Sequence, residues 1–166
     1  KKIDNQNYNW LKIKMNEKYN KPLALFIPGA SKKADYKKWQ SEKFAEIAKY
    51  YKNLGFIICV VGAHEDSKDV LPTLNIGKSV VSKVDQSPPE VIYTLALQAT
   101  IIISNDTGPG HIATLAKKNI IWIANNNKIS LANLGNGSHI YKILAPSVKN
   151  ITVKEVINFI KKNNLY

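Results

Sequence analysis

Four short runs in this chain are apolar throughout their centres. They are Leu23-Ala24-Leu25-Phe26-Ile27, Phe56-Ile57-Ile58-Cys59-Val60-Val61, Ile101-Ile102-Ile103 within 100–104, and Ile120-Ile121-Trp122-Ile123-Ala124. A strand with one wet face alternates apolar and polar residues; a strand without alternation is buried on both faces, as in a parallel sheet covered by helices. Between the runs the spacing changes. Phe44, Ile47, Ala48, Tyr51 and Leu54 recur at helical intervals, as do Val91, Ile92, Leu95, Ala96 and Ala99. Strand and helix therefore alternate along the chain, which predicts an α/β fold: three αβα layers around a mostly parallel sheet.

Punctuation refines this outline. Ser41 is expected to cap a helix over 41–54, with Glu42 favoured by the helix dipole and Gly55 as C-cap. A short helix is expected from His64 to Leu71, broken at Pro72. Val80-Val81 reads as a short third strand and Pro88-Pro89-Glu90 as a helix start. A helix is expected over about 110–118, a loop over the Asn- and Gly-rich 125–138, a last strand over 140–144, and an amphipathic helix capped by Thr152. Residues 1–21 read as a linker or N-terminal extension and 22–166 as one domain, a size that buries roughly 70% of its unfolded surface. The chain does not begin with Met, so a processed, tagged or excised fragment is expected.

Composition excludes some classes. No apolar run reaches the roughly 18 residues of a membrane helix. The single cysteine, Cys59, lies inside a strand run, so a buried thiol and a reducing, cytoplasmic compartment are expected. The net charge is +12, yet every basic residue is Lys and none is Arg. Nucleic-acid readers lean on Arg for bidentate contacts and on interleaved aromatics, so no nucleic-acid partner is expected. The lysines read as solvated helix faces, with a weaker attraction to anionic membranes or substrates. His64, His111 and His139 lack metal-ligand spacing, and no metal is expected.

The chemistry gathers where strands end. Gly29-Ala30-Ser31, Gly62 and Asp106-Thr107-Gly108 all follow strand runs, and in a parallel sheet these ends open onto one edge, where such folds bind ligands. Ser104-Asn105-Asp106-Thr107-Gly108-Pro109-Gly110-His111 is the densest of them. Glycines there permit close backbone approach, Ser31 and Thr107 add hydroxyls, and Lys37 adds a cation, a set suited to a diphosphate. The plainer alternatives are an N-cap for Asp106 or Thr107, a turn hydroxyl for Ser31, a solvated Lys37 and a packed neutral His111. No P-loop, dinucleotide Gly-x-Gly-x-x-Gly or Gly-x-Ser-x-Gly elbow is present.

Pro28-Gly29-Ala30-Ser31, Lys37-Lys38-Trp39, Phe44-Ala45, Gly55, Val60-Val61-Gly62 and the Asp106–Ala113 run, in this order and spacing, resemble glycosyltransferase family 9, the lipopolysaccharide heptosyltransferases. The resemblance runs from about residue 22 to 124, with 151–163 like the family's last helix. Gln40, where the family has Pro, and Asn125-Asn126-Asn127-Lys128, where it has a Gly/Pro-rich turn, depart from the pattern.

The resemblance implies the Rossmann-like C-terminal, donor-binding half of a GT-B enzyme. It implies inverting, metal-independent transfer of a heptose-type sugar from an ADP-sugar substrate to a glycolipid acceptor, with no cofactor. Lys37 and Ser31 would contact the diphosphate, Asp106 the donor sugar, and Thr107, Gly108 and the following N–H groups the phosphates, with Pro109, Gly110 and His111 completing the substrate-binding run. Gly29 and Gly62 would flank the donor. Lys37 and Asp106 are thus the candidate catalytic residues, with the general base expected on an N-terminal domain that this chain lacks. By itself the chain is expected to be an inactive monomer, cytoplasmic, with peripheral contact at the inner face of the bacterial inner membrane as a further expectation. The alternative is a nucleotide-sugar binding module, or degenerate half-transferase, without catalysis.

Overall fold

The computed structural model describes residues 20–30 and 32–166. The expected linker thus lies almost wholly outside the described residues, and so does Ser31. The strands are β1 (Leu23–Ile27), β2 (Ile57–Gly62), β3 (Val81–Val84), β4 (Ile101–Asn105), β5 (Asn119–Asn125) and β6 (Ile140–Ala145). The helices are α1 (Ser41–Asn53), α2 (Ser67–Leu74), α3 (Pro89–Gln98), α4 (Gly108–Thr114), α5 (Lys128–Asn133) and α6 (Val153–Lys162). Short 3-10 turns cover Lys32–Lys37, His64–Asp66 and Val148–Asn150.

All five strand pairings are parallel, in the order β3-β2-β1-β4-β5-β6. The chain builds outward from β1 to β3, then returns to the other side of β1. This Rossmann-like order leaves a crevice at the carboxyl ends of β1 and β4, the switch point where ligands bind. The apolar runs fill both faces as alternation in a strand requires. Leu23, Leu25 and Ile27 face α3 and α4; Ala24 and Phe26 face α1, α2 and α6. Among the described residues, no helix is long and apolar enough to cross a membrane.

Several boundaries differ from the sequence reading. Gln40, not Ser41, is the N-cap of α1, and no side chain caps it. Pro72 does not break its helix; α2 runs on to Leu74, and only two residues follow the proline, so little helix remains to lose. Helix α4 is shorter and earlier than expected, ending before Lys117 takes a positive φ of 54°. The region expected to be loop holds α5, started by Asn127, whose side chain accepts the Ser130 N–H at 2.8 Å. Asn supplies that cap, so an Asn-rich stretch can open a helix as readily as a loop. Helix α1 ends at Asn53 with Leu54 as its C-cap, so Gly55 (φ 90°) lies one residue beyond the cap, while Thr152, with its capping box to Glu155, behaves as read.

Candidate functional site

The strand ends meet in a cleft of about 570 Å³. Ala30, Gly62 and Ala63 form the wall from β1 and β2; Thr107, Gly108 and Pro109 form the wall from β4. Asp85, Ser87, Pro88 and Ile92 close it from the β3–α3 side, and Glu65 and Asp66 complete the lining. Gly62, Thr107, Gly108 and Pro109 are therefore brought together as the sequence grouped them.

Lys37, Asp106 and His111 form a second group at the same edge. Lys37 Nζ donates to Asp106 Oδ2 at 2.8 Å, and His111 Nε2 lies 3.0 Å from Asp106 Oδ1. Asp106 is only 5% exposed. Burial by itself would raise its carboxyl, but the hydrogen bonds from Lys37 and His111, and their charge, outweigh that and hold it below the ordinary carboxylate value. Asp106 is thus not a helix cap. Thr107 holds the N-cap position of α4, yet no side-chain cap bond forms, so its hydroxyl is not committed to the helix end. Helix α4 has only seven residues, so its dipole adds little beside the charge of Lys37. Lys37 is a mostly buried ion-pair partner rather than a solvated surface lysine.

Two glycines are accounted for by packing. A Cβ on Gly29 would lie 2.6 Å from both Asp66 carboxylate oxygens, so Gly29 makes room for Asp66. A Cβ on Gly110 would meet Ser104 Oγ and the Trp122 ring, at 2.6 Å from Cζ3, so Gly110 lets α4 lie against β4 and β5. By contrast, a Cβ on Gly108 would meet open space, as expected of a residue facing a ligand cleft.

Sequence reasoning missed the acidic wall. Glu65 is exposed, whereas Asp66 is half-buried and accepts the Ala63 N–H at 2.9 Å. Burial raises the Asp66 carboxyl; the Ala63 N–H opposes this, Asp69 adds to it, Lys38 opposes and Glu65 adds, with a net rise. The signal was readable: an acid just after the second strand of this fold commonly takes ribose hydroxyls.

The sequence profile of glycosyltransferase family 9 (heptosyltransferase) matches residues 2–123. The chain belongs to glycosyltransferase family 9. No curated protein sequence matches it. Solved structures of similar fold include E. coli ADP-heptose lipopolysaccharide heptosyltransferase II, with a TM-score of 0.79 and 16% identity over 99% of this chain and 53% of that one. A family 9 glycosyltransferase from Veillonella parvula gives 0.80 and 15%, covering 96% of this chain and 52% of that one. E. coli heptosyltransferase WaaC with ADP gives 0.74 and 21%, covering 88% and 45%. The family 9 chain thus spans about half the length of these structures.

Proposed function

We propose that this family 9 chain is the donor-binding half of an inverting, metal-independent glycosyltransferase, taking a heptose-type sugar from an ADP-sugar. The observation that carries the reading is the meeting of the Lys37–Asp106–His111 cluster and the Gly62–Thr107–Gly108 cleft at the sheet's switch point. The similarity in fold to a heptosyltransferase solved with ADP, and to the same enzyme solved with ADP-2-deoxy-2-fluoro heptose, supports the choice of donor.

The roles follow from chemistry. The exposed Glu65 accepts hydrogen bonds from the ribose hydroxyls. Thr107 Oγ1 and the Gly108 N–H donate to the phosphates. Lys37 carries three N–H donors, so it can hold Asp106 with one and a phosphate oxygen with another. Asp106, kept ionised by its two partners, accepts from the donor sugar's hydroxyls. In the transfer step an acceptor oxygen bonds to the anomeric carbon on the face opposite the diphosphate. The carbon–oxygen bond to the phosphate breaks with its electron pair leaving on the diphosphate, and the acceptor proton passes to a base supplied by a second domain. Lys37 meets the charge that develops on the leaving group, with no metal ion. That second domain also carries the glycolipid acceptor, which brings the enzyme to the membrane surface.

Calorimetry with ADP tests the reading. ADP binds, and Lys37→Ala weakens binding about tenfold or more, the worth of a hydrogen bond to a charged group. A wild-type chain that gives neither binding heat nor a melting shift with ADP would refute it.

A further inference from the structure

Two buried asparagines at neighbouring strand ends hold the segment that carries Lys37. Asn105 closes β4 and Asn125 closes β5; they are 0% and 6% exposed. Asn105 pairs in register with Ile123, so strand alternation puts both side chains on the sheet face where Ile103, Ile123 and Trp39 pack. Asn105 Nδ2 donates to the Pro28 carbonyl at 2.7 Å, and its Oδ1 accepts the Trp39 N–H at 3.0 Å. Asn125 Nδ2 donates to the Tyr36 carbonyl at 3.1 Å, and its Oδ1 accepts the Val148 N–H at 3.0 Å.

Pro28 and Trp39 bound the segment between β1 and α1, and Tyr36 immediately precedes Lys37. One amide therefore ties both ends of the segment, and the other ties it beside the lysine. Trp39 is held again by its ring, whose Nε1 donates to the Ile151 carbonyl at 2.8 Å. Each site requires a group that donates to a carbonyl and accepts from an N–H at once. A neutral amide does this; a carboxylate cannot donate, and a methyl group does neither.

We propose that Asn105 and Asn125 are positioning residues for Lys37, fixing its backbone so that the ammonium, held by Asp106, presents a further N–H to the donor diphosphate from a set origin. The proposal rests on the reading of Lys37 as the diphosphate ligand. Asn125 is the better probe, because one of its two partners, Tyr36, is exposed and water can replace the lost amide, whereas both partners of Asn105, Pro28 and Trp39, are buried.

The test is a double-mutant cycle on the full chain, with ADP as the probe and binding read by calorimetry. Asn125→Ala weakens ADP about fivefold in the parent, the worth of one ordinary hydrogen bond. In a Lys37→Ala background it adds no further loss, because the residue it positions is gone. Equal losses in both backgrounds, the mark of general structural damage, would overturn the proposal, as would no loss in either. Lys37→Ala leaving ADP binding intact would instead overturn the donor reading beneath it. Should Asn125→Ala melt below the assay temperature, Asn125→Ser replaces it: a single hydroxyl cannot span Val148 and Tyr36, and the same non-additivity is required.

Discussion

Replacing Gly110 with alanine gives a sharp test of how α4 is seated. The new Cβ would lie 2.6 and 2.7 Å from Cζ3 and Cη2 of Trp122, and against Ser104 Oγ. Ordinary contacts of this kind begin at 3.4 Å, so either the ring or the helix must move by nearly 1 Å. Trp122 and Ser104 are both fully buried and have nowhere to go. Overpacking at such a site costs about 3 kcal/mol, the upper part of its usual range. Alanine returns about 1 kcal/mol through its better helix propensity. The clash wins, leaving about 2 kcal/mol, or a melting point lower by about 4–8 °C in a domain of this size. Thermal unfolding followed by circular dichroism measures it. Trp122→Phe removes the ring atoms that the Cβ would strike, and also a buried indole N–H that has no partner. The double variant should therefore be more stable than the sum of the two single effects predicts. A Gly110→Ala melting point within about 1 °C of the parent, or strict additivity with Trp122→Phe, would refute the packing argument.

Two carboxylates of this edge, the buried Asp106 and the half-buried Asp66, should respond oppositely to pH. Asp106 sits below its ordinary value when folded, so its contribution is present above the unfolded value and is lost as pH falls through the lowered one. Asp66 sits above its ordinary value, so its contribution is present at low pH and is lost as pH rises through the raised one. Melting at about pH 3 and about pH 7 should show the deficit of Asp106→Asn shrinking in acid and Asp66→Asn gaining on the parent toward neutrality; parallel curves for parent and variants would contradict this. In calorimetry, Asp106→Asn should weaken an ADP-sugar about tenfold more than ADP, since its proposed partner is the sugar; equal losses for both ligands would remove that role. Burial pushes the Cys59 thiol up to about 12, with Lys83 pulling the other way, so iodoacetamide near neutral pH should label the unfolded but not the folded chain. Labelling of the folded chain at the unfolded rate would show that β2 is not the closed core strand described.

The layers were legible because their cause is local. A run such as Ile57–Val61 has no polar side to offer water, so it must be covered on both faces wherever it lands. The strand-end residues Gly62, Thr107 and Gly108 were likewise readable, since parallel strands bring their carboxyl ends to one edge whatever the topology. Other features depended on partners far away in sequence. The sequence left Lys37 open between a diphosphate cation and a solvated lysine, and could not show the ion pair the fold makes with Asp106, 2.8 Å away and 69 positions on. Gly29 and Gly110 looked like openings for a ligand until the fold put Asp66 beside one and Trp122 beside the other. Nothing around Asn105 or Asn125 in the sequence names Pro28, Trp39, Tyr36 or Val148 as partners; strand order and register alone bring them within reach. The sequence by itself determined the αβα layering and the edge at which chemistry gathers, because both follow from side-chain periodicity. Tertiary structure alone decided which of those edge residues face the cleft, which pair with one another and which merely make room, because those outcomes depend on distances that no local pattern encodes.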